Sequence, residues 1–320
     1  MYRALTSFRT FLLLFLLVGN DIAAQQGVGY RYGSGVNPAF AGAAGIGRLA
    51  VDYTSTYPGS GYNLNSFNLS FDTFLEFAHG GAGFSLLSDH PGGLLTDIRA
   101  LFAYSYHLQI SRDLYLFAGM NAGLIYRSIN RSKLVFPDQI DPLTGVSFSG
   151  NEVIDQPSDI FFDMGTGFLI SYRSYSLALS AAHLFQPDFS EGAAYGAELP
   201  RRYQIQVFSR FRTKSEELFL VPYFQTTAGG GESLLAAGGA VEYDRIGIGF
   251  MGIYEQSGFN ILTSLKVGHD NLDFLYSFRF SVISENIGLP IALVHQLGIR
   301  LSLNIVDKRN AIKTINFPDF

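Results

Sequence analysis

Ser105 and His107 lie two residues apart, with Asp97 and Arg99 shortly before them. Serine, histidine and aspartate are the parts of an acyl-transfer site, where a base takes the serine proton and a carboxylate orients the base. The same neighbours arise without any chemistry on an extended strand, because residues two apart share a face. A polar strand face accounts for them, and no Gly-x-Ser-x-Gly elbow occurs in the chain. The histidines, His79, His90, His107, His183, His269 and His295, form no His-Glu-x-x-His pair or other metal-ligand spacing. Asp89-His90 reads as a solvated turn. Gly165-Thr166-Gly167 and Gly247-Ile248-Gly249 look like fragments of nucleotide loops, but no helix follows either, so the fingerprint fails its context. Strand glycines that admit close neighbours explain both. No catalytic, cofactor or metal residue is assigned, and the chain reads as a non-enzyme.

The elements that carry these residues are strands. From about residue 46 onward, stretches of roughly ten residues alternate apolar with small or polar side chains, and turn residues separate them. In 96–108, Ile98, Ala100, Phe102, Tyr104, Tyr106 and Leu108 share one face, and Asp97, Arg99, Ser105 and His107 share the other. In 272–282, Leu272, Phe274, Tyr276, Phe278, Phe280 and Val282 oppose Asp273, Ser277, Arg279 and Ser281. Fourteen such segments are expected, near 46–56, 63–77, 80–88, 94–108, 113–127, 159–172, 174–185, 201–213, 217–228, 233–243, 245–255, 258–268, 272–282 and 293–306. The third and ninth are weakest, because apolar residues fall on both of their faces.

Mid-strand charges avoid the apolar face throughout; Asp52, Asp72, Asp97, Arg99, Asp163, Arg210, Arg212, Glu242, Lys266, Arg279 and Arg300 all fall on the other one. A Lys or Arg facing lipid at the midplane costs about 2–4 kcal/mol, so this segregation is expected where the apolar face meets lipid. A soluble sandwich would turn its apolar faces inward and its charges out. Loop lengths agree. Loops after odd-numbered segments include the three longest, 128–158, 186–200 and 283–292, and those after even ones are short. Outer-membrane barrels pair long extracellular loops with short periplasmic turns. The fold expected is all-β: a single transmembrane antiparallel β-barrel of the outer membrane, with about 14 strands and 12–16 as the range.

The ends and the composition fit that compartment. Arg3 and Arg9, the apolar run Phe11–Val18 and the small residues before Gln25 have the layout of a cleavable signal peptide over residues 1–24. That run is too short to span a bilayer as a helix. Charged residues make up 15% of the chain, below the roughly 25% of soluble domains. There is no cysteine, which removes disulfide and thiolate chemistry. The net charge is −5 and the basic residues are scattered, so nucleic acid is not an expected partner. Residues 25–45 are Gly/Ala-rich and either hang free or fold into the lumen as a plug. Fourteen strands enclose more space than their own side chains fill, so water, loops or this segment must occupy it. The barrel is expected over 46–306. The polar tail 307–320 then reads as disordered or as a periplasmic contact. The long loop 128–158 carries an apolar core, Leu134-Val135-Phe136, suited to packing over the barrel mouth or binding a partner.

Two of these stretches carry a family resemblance. Asn37-Pro38-Ala39-Phe40-Ala41-Gly42 resembles the signature that follows the signal peptide in the PorP/SprF family, and Lys133-Leu-Val-Phe-Pro-Asp-Gln-Ile-Asp141 is similar to that family's loop motif. Tyr104–Leu108, Leu199–Tyr203 and His295–Arg300 are weaker echoes, and the resemblance covers about residues 25–306. It implies an outer-membrane component of the type IX secretion system of Bacteroidetes, without enzymatic activity. Such a component supports secretion or surface anchoring of sorting-domain proteins such as gliding adhesins. The implied partners are membrane lipid, the secretion-system ring and lipoprotein components, and the sorting-domain cargo. The residues singled out for partner contact are Asn37, Pro38 and Phe40, and Lys133, Phe136, Pro137, Asp138 and Asp141. The alternative reading is a passive outer-membrane channel or small-solute transporter, supported by a wide polar lumen of both charge signs. A barrel hydrolase built on Ser105, His107 and Asp97 ranks below both.

Overall fold

The alternation along the chain is that of a wall with two unlike sides, and the wall closes on itself. The computed structural model describes residues 33–58, 64–91, 93, 95–129, 158–188, 198–213, 217–256, 258–284, 293–303 and 314–315. The strands are β1 (Gly47–Thr56), β2 (Leu64–Leu75), β3 (Gly80–Pro91), β4 (Leu95–Gln109), β5 (Leu114–Ile129), β6 (Ser158–Tyr172) and β7 (Tyr175–Ala182). They continue with β8 (Arg202–Ser209, resumed at Phe211–Arg212), β9 (Leu218–Gly229), β10 (Glu232–Tyr243), β11 (Ile246–Glu255), β12 (Gly258–His269), β13 (Leu272–Ser284) and β14 (Leu293–Leu303). Each pairs antiparallel with the next. β1 also pairs with β14, from Gly47 opposite Leu303 to Thr56 opposite Val294, so no free sheet edge remains at that seam. This is the fourteen-strand antiparallel barrel expected from the sequence. Among the described residues no helix is long and apolar enough to cross a membrane. The expected signal segment 1–24 lies outside the described residues, as do Lys133, Phe136, Pro137, Asp138 and Asp141.

The break in β8 has a local cause. Pro222 in β9 has no N–H to give to a ladder. The β8–β9 register runs to Tyr223 opposite Phe208 and resumes at Leu220 opposite Phe211, which puts the interruption across from Pro222. Tight two-residue turns join β6 to β7, β10 to β11 and β12 to β13. Their first residues, Arg173, Asp244 and Asp270, adopt positive φ (54°, 48° and 52°), as hairpin loops of this length demand. These short turns share one mouth with both ends of the wall, Gly47 and Leu303. By the loop asymmetry of such barrels, that mouth faces the periplasm.

The two faces of the wall separate as the alternation requires. On β4, Phe102, Tyr104, Tyr106 and Leu108 are exposed on the outside, whereas Asp97, Arg99, Ser105 and His107 are buried within. Phe250, Ile248 and Tyr254 of β11 and Leu297 and Ile299 of β14 continue the outward apolar belt. In a membrane this belt meets acyl chains, and the barrel is of the outer-membrane type.

The inner face departs from the expectation of a polar lumen. On β9–β12 it carries Val221, Tyr223, Leu234, Ala236, Met251, Ile253 and Leu262, all buried in one apolar cluster. Leu87 of β3 also points inward and is buried. This is why the third and ninth segments alternate poorly: both sides of the wall are apolar there.

Candidate functional site

The inward space beside β2–β6 is taken by residues 33–45. The sequence GSGVNPAFAGAAG suits this place because small side chains let its backbone lie close to the wall. Two short 3-10 turns, Gly33–Gly35 and Pro38–Phe40, shape it. Asn37 caps the second: its side-chain oxygen accepts from the Ala39 N–H at 2.9 Å, and Pro38 follows as the first residue of the turn, where a missing N–H costs nothing.

Side chains of the wall take hold of this backbone at successive points. Asp72 accepts from the Gly42 N–H at 3.0 Å. Ser105 Oγ donates to the Ala39 carbonyl at 3.1 Å, and His107 Nε2 donates to the Ala41 carbonyl at 3.1 Å. Because a carbonyl only accepts, that contact fixes the proton on Nε2. Asn37 Nδ2 donates to the Leu179 carbonyl of β7 at 3.0 Å. The His107 ring stands edge-on to Phe117, with centroids 4.4 Å apart, and the Phe74 ring is 5.6 Å away. Phe40 is fully buried and meets Phe208 of β8 at 6.0 Å between centroids.

Clearance in the wall matches this segment. A Cβ on Gly119 would run into the backbone of Pro38 and Ala39, and one on Gly167 would run into the Asn37 carboxamide. Within Gly165-Thr166-Gly167 it is Gly167 that makes room for Asn37, and the stretch is part of β6 rather than a phosphate loop. Gly167→Val is expected to displace Asn37 and cost about 1–3 kcal/mol as an overpacked site, read from denaturant unfolding of the folded barrel. At Gly247 an added Cβ would meet the Lys266 Cβ at 3.4 Å and the Glu242 Cγ at 3.7 Å, both at ordinary contact distance, so Gly247→Ala serves as the near-neutral control.

Of the residues singled out in the sequence, Asn37, Pro38 and Phe40 are all buried inside the barrel against its wall. Ser105 and His107 are each directed to a carbonyl of the inner segment. Asp97 instead accepts from Arg99 at 2.9 Å and from Arg127 at 2.7 Å. The arrangement a hydrolase requires is thus not assembled, and Ser105 and His107 act as struts. Among the described residues no group of His, Cys, Asp and Glu is arranged to hold a metal.

Some features were out of reach of sequence reasoning. His183, just beyond β7 with φ of 57°, places Nδ1 2.8 Å from Asp163 Oδ2 on β6. A loop histidine with no spacing relation to its partner gives no signal. On β8 and β9, Gln206, Tyr223, Gln225 and Thr227 form a ladder of inward hydrogen bonds of 2.6–3.2 Å. Period-two alternation was its only sign. Of the tail, Thr314 and Ile315 lie among the described residues; Ile315 is buried, and it donates its N–H to the Ala43 carbonyl at 2.7 Å.

The sequence matches the model of the family described as type IX secretion system membrane protein PorP/SprF over residues 30–300. No protein of curated function matches it. Among solved structures, the barrel is similar to the CymD monoaromatic hydrocarbon channel, with a TM-score of 0.52 at 11% identity over 88% of this chain and 95% of that one. It is also similar to the P. putida toluene transporter TodX, with a TM-score of 0.51 at 12% identity over 85% and 93% of the two chains. At such identities the likeness is one of fold.

Proposed function

Because the chain belongs to the PorP/SprF family of type IX secretion system membrane proteins, we propose that it serves that system as a plugged outer-membrane barrel, supporting secretion or surface anchoring of sorting-domain proteins such as gliding adhesins. The observation that supports this reading is a segment held inside the barrel. Residues 33–45 are pinned across β2–β7 by Asp72, Ser105, His107 and the Asn37 side chain. A barrel occupied in this way suits holding a partner at the surface better than letting solutes through. The work of the site is recognition, with no reaction assigned to it. The loop residues Lys133, Phe136, Pro137, Asp138 and Asp141 are proposed to meet cargo outside the cell. Asn37, Pro38 and Phe40 fix the plug, and the periplasmic mouth faces the ring and lipoprotein components.

Deleting the gene is expected to abolish surface display of at least one sorting-domain protein, counted by mass spectrometry of the shaved cell surface. Unchanged secretion and display would end this reading. The tagged barrel, drawn from native outer membranes, is expected to bring the cargo or ring components with it.

A second reading, small-solute transport, is favoured by one observation: the apolar inner face of Met251, Ile253 and Leu262. Planar-bilayer recordings separate the two. Large steady steps from the intact chain belong to an open channel, and near-silence to the plugged anchor.

A further inference from the structure

We propose that the periplasmic mouth carries a peptide-binding site, occupied here by the chain's own Ile315, and that this occupant latches the plug. The inference rests on the plug reading above. Three polar backbone groups of the plug are held by the wall: the Ala39 carbonyl by Ser105, the Ala41 carbonyl by His107 and the Gly42 N–H by Asp72. The Ala43 carbonyl is held differently. Its donor is the backbone N–H of Ile315, at 2.7 Å.

A buried carbonyl needs a donor, and here one end of the chain supplies it to the other. The Ile315 side chain is 6% exposed and belongs to the same apolar cluster as Ala39, Phe40 and Ala43, whereas Thr314 beside it is exposed. One main-chain bond and one buried side chain are the elements by which proteins hold extended peptides. The bond attaches, and the pocket selects. The ligand class is an extended segment with a branched apolar residue next to a polar one. The site lies close to where both ends of the wall meet: Leu303, the last residue of β14, faces Gly47, four positions beyond Ala43. The tail is therefore tethered beside its own site.

As long as Ile315 is seated, the plug is clamped from the wall side and from the tail side. Withdrawal of the tail frees the Ala43 carbonyl and removes an apolar member of the cluster that holds Phe40, leaving the wall contacts alone to keep the plug in place.

The test uses the full chain, a chain ending at Leu303, an Ile315→Asp variant and a chain lacking residues 33–45. Each is first shown to be folded by its heat-modifiable migration on gels. A fluorescent peptide of residues 304–320 is expected to bind the chain ending at Leu303 and to bind the full chain about a hundred-fold more weakly, the scale set by one buried isoleucine and one hydrogen bond. An Ile315→Asp peptide is expected not to bind. In planar bilayers the chain ending at Leu303 and the Ile315→Asp variant should conduct far more often than the full chain, and the added peptide should silence the former. If the peptide does not bind, the site is refuted whatever the conductance. If it binds and the chain ending at Leu303 stays as silent as the full chain, while the chain lacking 33–45 conducts, the latch is refuted and the plug stands. If even the chain lacking 33–45 is silent, the plug reading fails and the latch with it, while the peptide site is judged by binding alone.

Discussion

Asp72→Ala is expected to cost the barrel about 3–5 kcal/mol of unfolding free energy, because it leaves the Arg48 cation buried without its carboxylate. The two residues face each other across the β1–β2 ladder, with Arg48 donating from Nε at 3.3 Å and from a terminal nitrogen at 3.2 Å. Both side chains are only 9% exposed, so water does little to replace the lost partner. The same substitution removes the acceptor of the Gly42 N–H and so releases the plug at its junction with the wall. Urea unfolding in lipid vesicles reads the first effect, and bilayer conductance reads the second. Asp72→Asn separates them. It keeps an oxygen for Gly42 while losing the charge, so it should retain most of the closure and lose stability. Equal conductance from both variants would dissociate Asp72 from the plug.

Asp97→Ala is the second large effect. One oxygen of Asp97 accepts from Arg99 and from Arg127, and the other lies buried with no hydrogen-bond partner. Two guanidinium groups thus share one carboxylate inside the barrel. Its removal is expected to cost about 3–5 kcal/mol, as for a broken buried pair. The contrast is Asp113, whose pair with Arg173 has side chains 52% and 66% exposed at the periplasmic turns. Asp113→Ala should change stability by no more than about 1 kcal/mol, because solvent and salt already screen that pair. If unfolding in the same vesicles found the two variants alike, burial would not govern these ion pairs.

How much of this was legible in the sequence follows from what surrounds each strand. β4 and β13 face lipid on one side and polar groups on the other, so their alternation is clean and sets their register. β9 faces lipid outside and an apolar cluster inside, so Val221 and Tyr223 blur the pattern that Leu220 and Phe224 begin. Pro222 within β9 marked an irregular place, but the resulting break belongs to its neighbour β8. The segment around Asn37 was visible as a run of small residues and as a family signature. Its anchors were not visible, because Gly167 and Leu179 stand more than a hundred residues away and no local rule links them to Asn37. Ser105 and His107 read as members of a polar strand face, and they lie on that inward face; the carbonyls they meet belong to the plug and could not be read from their own strand. The seat of Ile315 was hidden, because a single buried residue in a polar tail has no period to betray it.

The seam between β1 and β14 also has a meaning in time. The plug joins β1 through Ile46 alone, and its hydrogen bonds to the wall go to β2, β4, β6 and β7, all among the first seven strands. A growing sheet of β1–β7 can therefore collect the plug through the nearer contacts in sequence, which cost the least loop entropy to form. The later strands then wrap around a cargo already in place, and the docking of β14 on β1 seals it in. The barrel is built around its plug, like a ship assembled inside its bottle, and nothing has to be threaded into a finished pore.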